Sequence, residues 1–364
     1  QAFQIEATGG SAAVASTFNT TLYTGTGAAQ TITTGIDLAT DGGLVWVKSR
    51  NGTYGHALSD TEHTVGNNMS SANTNQMQGG PNAISAFNSN GFSIGNDGNL
   101  NASGSNLVSW TFKKQAKFFD IVTYTGNGVA GRTVAHGLGG PVGFLVVKRT
   151  STSGSNWTCY HKSLGNAGVI ELNGTGAAAT GNTKWNSTNP TTTEFTVSSD
   201  SSLNTSGATY VAYVFAHDNA SDGLIQCGTF SGQPTSVNLG WQPQWLLCKR
   251  TDSTSNWVLL DNKRVTGGSE DYLYANTTGV EQTSFDLVDF TSTGFDVLSG
   301  LAGTQIYMAI RSASAPAITW PTSIEWAGGI APAAPANAET DVFTFTTDDT
   351  GTSYTGVKSI DNAS

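Results

Sequence analysis

The sequence predicts an all-β protein: three tandem antiparallel β-sandwich modules, jelly-roll-like, followed by a C-terminal β-hairpin segment. Three observations carry this. One phrase recurs three times at a spacing of about one hundred residues, the mark of a repeat architecture. Short apolar or β-branched runs alternate with Gly, Asn, Ser and Pro clusters, the pattern of strands and turns. No long run carries the 3.6-residue period of an amphipathic helix.

The phrase is an apolar run ending in basic residues. It reads Gly43-Leu44-Val45-Trp46-Val47-Lys48-Ser49-Arg50, then Gly143-Phe144-Leu145-Val146-Val147-Lys148-Arg149-Thr150, then Gln244-Trp245-Leu246-Leu247-Cys248-Lys249-Arg250-Thr251. The second and third copies continue in register through Ser155-Asn156-Trp157 and Ser255-Asn256-Trp257, placing the two tryptophans 100 residues apart. A closing phrase centres on Phe92, Phe195 and Phe295, and leads to the aromatic runs Leu107–Phe112, Tyr210–Phe215 and Ile306–Ile310. Lys48, Lys148, Lys249 and the three phenylalanines are therefore structural repeat positions.

Module two shows the strands best. The runs Phe118–Tyr124, Arg132–His136, Phe144–Arg149, Trp157–His161, Val169–Leu172, Glu194–Val197 and Tyr210–His217 make about seven short strands in about one hundred residues, the density of a sandwich. Tyr210–Phe215 is apolar on both faces, as expected of an inner strand or one covered by a neighbouring module. The expected boundaries are an N-terminal arm over 1–20, modules over 21–118, 119–220 and 221–315, and a tail over 316–364. Module one carries a long polar loop, Asn67–Pro81, which is either a binding loop or a tolerated insertion. In the tail, a Pro/Ala/Gly stretch reads as a semi-rigid linker. Asp341–Thr347 and Ser353–Lys358 then form a hairpin, which alone is marginal in water and should pack on something else.

Composition narrows the function classes. Charged residues are 12% and the net charge is −10, with a pI near 4.8; this argues against a nucleic-acid partner. No apolar stretch reaches the length of a membrane-spanning helix. Residues 1–20 lack the basic start and apolar centre of a signal peptide. The opening at Gln1 is expected to reflect cleavage or trimming. Cys159, Cys227 and Cys248 match no zinc spacing and read as buried thiols, with a Cys227–Cys248 bridge as the alternative.

Candidate chemistry can be tested against the internal copies. His161 follows Trp157 by four positions, but the matching position in module three is Asp261, and module one has no such pairing; a catalytic base in every module is excluded. Asp97 with Asn101, and Asp200 with Asn204, are matched oxygen donors. They are weak calcium candidates, far short of six to eight ligands, and Asx-turn chemistry accounts for them equally. No metal or other cofactor is expected. Trp157 and Trp257, beside Asn156 and Asn256, could stack on sugar rings; the alternative is a tryptophan anchored between sheets. The basic residues of the repeat are expected to find partners among the chain's own carboxylates. Glu194, Asp200, Glu281 and Asp286 are available to a glycan-degrading enzyme, but nothing in the sequence pairs them.

The phrases Tyr124-Thr125-Gly126-Asn127-Gly128, Val134-Ala135-His136-Gly137-Leu138-Gly139, Val146–Thr150, Asn156-Trp157 and Asn204–Ala216 resemble a repeated module of tailed-bacteriophage virion proteins, found in tail-fibre and minor structural proteins. The resemblance covers about residues 21–315. The tail is similar to segments that close such proteins, but departs at Asp348-Asp349-Thr350, where a tighter Asp-Gly-Gly turn is usual. The resemblance implies a structural virion component on the particle surface, without catalytic residues. Its expected partners are other virion proteins and further copies of itself. The alternative is a host-recognition module binding surface glycan.

Overall fold

A computed structural model describes residues 3–6, 16–80, 82–181, 183–266, 268–283, 285–312, 324–326, 340–346 and 354–363. The chain divides into two compact units, one of residues 17–311 and one joining 1–16 with 312–364. Among the described residues the only helices are the single turns Gly98–Asn101 and Ser201–Asn204; the rest of the regular structure is β.

Each third of the 17–311 unit repeats one topology. In module two, Phe119–Thr125 pairs with Thr209–Ala216, which pairs with Val142–Arg149, then Thr158–His161, then Ile170–Glu171. Modules one and three repeat the order: Phe18–Thr24, Asn106–Lys113, Gly43–Ser49, Ala57–Asp60; and Ile225–Ser231, Thr304–Arg311, Pro243–Arg250, Trp257–Thr266, Ser269–Tyr274. A smaller sheet covers one face of each. There the phenylalanine strand pairs with the second strand, setting Phe92 opposite Ile32, Phe195 opposite Val134 and Phe295 opposite Val237. All three phenylalanines are fully buried between their two sheets. This is the all-β, sandwich-like fold the strand density predicted.

The other face of each large sheet is buried as well, against the other two modules. Along Gly43–Ser49, Val45 and Val47 face the sandwich interior of module one, while Leu44 and Trp46 belong to a central core that also holds Phe112, Phe144, Phe215, Trp245 and Trp257. In module three, Leu246 and Cys248 face inward, and Trp245 and Leu247 face the shared core. Side chains alternate across a strand, so a strand covered on both faces must be apolar at every position. The repeated phrase is apolar as far as its lysine because its second face meets the neighbouring modules. Aromatic edges close the centre: Phe112 lies 5.6 Å from Phe215 and 5.8 Å from Trp245, and Phe144 lies 5.8 Å from Trp257.

The second unit is a four-stranded sheet. Thr340–Thr346 and Tyr354–Ala363 form the antiparallel pair. Phe3–Glu6 adds to the first, with Phe3 opposite Phe345, and Ile324–Trp326 adds in parallel to the second. The hairpin thus gains two strands from distant segments, which supplies the width an isolated hairpin lacks. The rest of the Pro/Ala/Gly stretch and the Asp348-Asp349-Thr350 turn lie outside the described residues.

Candidate functional site

The residues singled out by the repeat meet at the joints between modules. Three joints use the same positions in a cycle. Trp157 of module two donates its indole N–H to the Ser70 and Asn73 carbonyls of module one, both at 3.1 Å. Trp257 of module three donates to the Glu171 carbonyl of module two at 2.9 Å. His56 of module one, at the matching strand position, lies 3.0 Å from the Tyr274 carbonyl of module three. Backbone bonds follow the same cycle: Met77 N to Thr150 O, Ala178 N to Thr251 O, and Glu281 N to Arg50 O. A head-to-tail contact that returns to its start after three steps is a closed ring, here within one chain.

A second cyclic set lies deeper. Tyr213 donates its hydroxyl to Asp60 at 2.8 Å, and Trp110 donates its indole N–H to Asp261 at 2.8 Å. The third position pairs Met308 with His161 in place of donor and acid. Methionine offers no N–H or O–H, so a carboxylate opposite it would be buried without that partner. A neutral histidine suits the place, and its Nε2 lies 3.0 Å from the Tyr307 carbonyl. The Ser163 amide donates to Nδ1 of His161, and the Trp46 indole donates to Nδ1 of His56. Both rings therefore carry their proton on Nε2 and donate it across a joint. Burial pushes His56 down to about 3 and His161 down to about 4. His161 holds a joint rather than acting as a base.

Lys48, Lys148 and Lys249 are fully buried, and their partners are carbonyl groups rather than the carboxylates expected from the sequence. Lys148 reaches Thr74 O of module one and the carbonyl of Arg149, the next residue in its own strand; Lys249 reaches Thr175 O and Gly176 O of module two. Lys48 turns back to Ser49 O and Gly52 O. Burial lowers each to about 8. Carboxylates are met instead by Arg50, which forks onto Glu281 at 2.7–2.9 Å, and by Arg264, which bridges Asp261 at 2.7 Å and Glu281 at 3.0 Å.

Several expectations are corrected. Trp157 and Trp257 are 0% and 2% exposed, so neither offers a face to a sugar; they are interior anchors. Asn156 and Asn256 are half-buried and accept from Asn173 and Asn276, whose own oxygens hold the tryptophan backbone amides. Asp97 and Asp200 cap the two helical turns, accepting from Asn99 and Leu100 and from Ser202. Asn101 and Asn204 are fully buried. Asn101 binds Thr26 N, Ala28 O and Gly95 O; Asn204 binds Asn127 N, Val129 O and Ser198 O. These amides tie loops together. The Asn67–Pro81 loop, Pro81 itself lying outside the described residues, is no insertion: its 70–77 segment corresponds to 171–178 and 274–281 and clasps module two. The three cysteines are free and buried. Of the acids open to an enzyme, Glu281 is held by two arginines and Asp200 lies 3.6 Å from Lys184.

Asp60 and Arg264 were missed by sequence reasoning. The signal existed: Asp60-Thr61-Glu62-His63 and Asp261-Asn262-Lys263-Arg264 share an acid with a base three positions on, and His63 and Arg264 both bond that acid.

Where the modules differ is a cleft beside each joint, between the Trp/His strand and the segment before the closing strand, which is a helical turn in modules one and two. In module two it is bridged: Lys184 and Thr158 both donate to the Ser202 hydroxyl. In module one it is a cavity of about 220 Å³ lined by amides, including Asn68, Asn75, Gln76 and Gln78. In module three it is an open groove of about 450 Å³, lined by Asn256, Val258, Tyr272, Tyr274, Phe285 and Ser299. A pocket with apolar walls and a few polar groups is the usual form of a binding site.

No curated protein and no solved structure matches the chain. Residues 14–313 match the model of a family described as a domain of unknown function, DUF7483, a span that takes in the whole three-module ring. The chain belongs to the DUF7483 family.

Proposed function

We propose that the chain is a structural protein of a tailed-phage virion, an appendage, fibre or decorating component on the particle surface that assembles with other virion proteins and with further copies of itself. The observation that carries this is the fate of the repeated polar residues. Lys148, Lys249, Trp157, Trp257, His56, His161, Asp60 and Asp261, which could have formed a site, are taken up in closing the ring. Such a body supplies shape and rigidity. The resemblance of modules one to three to virion repeats adds the setting, and the low charge density suits an exposed particle surface. In this reading the chain performs no reaction and needs no cofactor.

Purified particles of the phage encoding the chain test the proposal. The chain should be found in density-purified virions by mass spectrometry, and antibody-gold labelling should mark one region of the particle. Absence from purified virions, with presence in the infected-cell lysate, would defeat it.

A second reading is favoured by the module-three groove: a glycan-binding function on the same particle. The two are compatible, since a structural appendage can also carry a receptor site.

A further inference from the structure

The three modules act as internal controls for one another. At the same place in the fold, one cleft is bridged by the chain's own lysine, one is lined by amides, and one presents aromatic rings. No described residue fills the third. Phe285 is 64% exposed, the most exposed of the large apolar side chains described. Tyr272 and Tyr274 stand edge to face at 5.5 Å beside it. Asn256 accepts from Asn276 through its oxygen, which orients the amide, and no described residue accepts from its Nδ2. Ser299 donates its hydroxyl to Asp286 O at 2.8 Å, leaving its lone pairs to accept.

We propose that this groove binds the pyranose ring of a neutral glycan, with Phe285 under the ring, the half-buried Tyr274 at its side, and Asn256 and Ser299 at its hydroxyls. The proposal rests on the glycan-binding reading and gives it a place. A pyranose has one face of C–H groups and a rim of hydroxyls. The negative face of an aromatic ring attracts the first, and an oriented amide hydrogen-bonds the second. The groove is large enough for a small oligosaccharide. Its lining carries no charged side chain, while Asp286, Asp289, Asp296 and Glu270 lie on the segments around it. In a chain of net charge −10, these repel sialic and uronic acids.

The test is titration of the full chain, by calorimetry and ligand-observed NMR. The probes are the methyl glycosides of glucose, galactose, mannose and N-acetylglucosamine, their disaccharides, and sialyllactose as the anionic member. Binding of at least one neutral probe is expected. Phe285→Ala should weaken it by about tenfold or more, in the manner of a central aromatic anchor, and Asn256→Ala should weaken it severalfold. Asn75→Ala, in the module-one cleft, should leave it unchanged. Phe285 is exposed, so its variant should keep the wild-type melting temperature. If the chain binds a neutral glycan and neither Phe285→Ala nor Asn256→Ala alters it, the groove is wrong while glycan binding stands. If the chain binds no neutral probe, or prefers sialyllactose, the proposal fails, and in the first case the glycan reading fails with it.

Discussion

Replacing Arg264 by methionine tests whether the ring is held by its buried polar joints. Arg264 is 0% exposed, as is its partner Asp261. Its guanidinium bonds Asp261, Glu281 and the Leu259 carbonyl, and lies 5.4 Å from the Trp110 ring centre. Methionine restores most of the volume but leaves two carboxylates short of a cation. Glu281 keeps Arg50; Asp261 keeps only the Trp110 indole and two backbone amides. Removing one partner of a buried ion pair costs about 3–5 kcal/mol. For a body of this size each kcal/mol lowers the melting temperature by about 2 °C, so calorimetry should show a fall of about 6–10 °C. The carboxylate left behind is the cause, so Asp261→Asn should be less harmful in the Arg264→Met background than alone. A coupling of about 1–3 kcal/mol is expected. A loss under about 1 kcal/mol, or strict additivity of the two changes, would refute the reasoning.

Trp257→Ala should cost about 3–5 kcal/mol through the cavity it opens without weakening glycan binding beyond what unfolding explains; denaturant midpoints and titration separate the two. Gly126→Ala would place a methyl 2.1 Å from the Thr205 carbonyl oxygen, and overpacking of that kind costs about 1–3 kcal/mol; an unchanged melting temperature would count against so close an approach of the two segments. Stability should rise between pH 7.5 and 9. The three buried lysines sit at about 8 when folded against 10.5 unfolded, so the unfolded chain binds more protons in that window. Above about pH 9 the unfolded cysteines ionise while the buried thiols, raised by burial, do not, and the gain should level off. On the acid side, His56 and His161 protonate first in the unfolded chain, so stability should fall from pH 6.5 toward 4. Urea midpoints across these ranges check both slopes, and a flat profile from 7.5 to 9 would mean the lysines are not buried as described.

The strand pattern was legible because it depends on local chemistry. Glu194–Val197 stands as read, and Thr158–His161 and Val142–Arg149 begin within two residues of the reading. The period of two and the turn residues that bound a strand are properties of adjacent positions. Trp157 and Trp257 were harder. An Asn-Trp in a Ser-rich stretch looks the same whether its ring meets solvent or a neighbouring module. The lysines were misassigned for a related reason: a carbonyl partner leaves no mark in a sequence, whereas a carboxylate does.

By itself, the sequence determined that the chain is all-β and built of three copies, and which positions recur. The tertiary structure decided what the recurrence is for. Lys148, Trp157 and Tyr213 lie far along the chain from Thr74, Ser70 and Asp60, and nothing local links them. Only when the third module returns to the first through His56, Trp110 and Glu281 does the ring close. The same closure buries the tryptophans, turns the Asn67–Pro81 loop into a clasp, and leaves Phe285 in the open. A repeat reports which residues share a role, but burial on a second face is a property of the assembled ring.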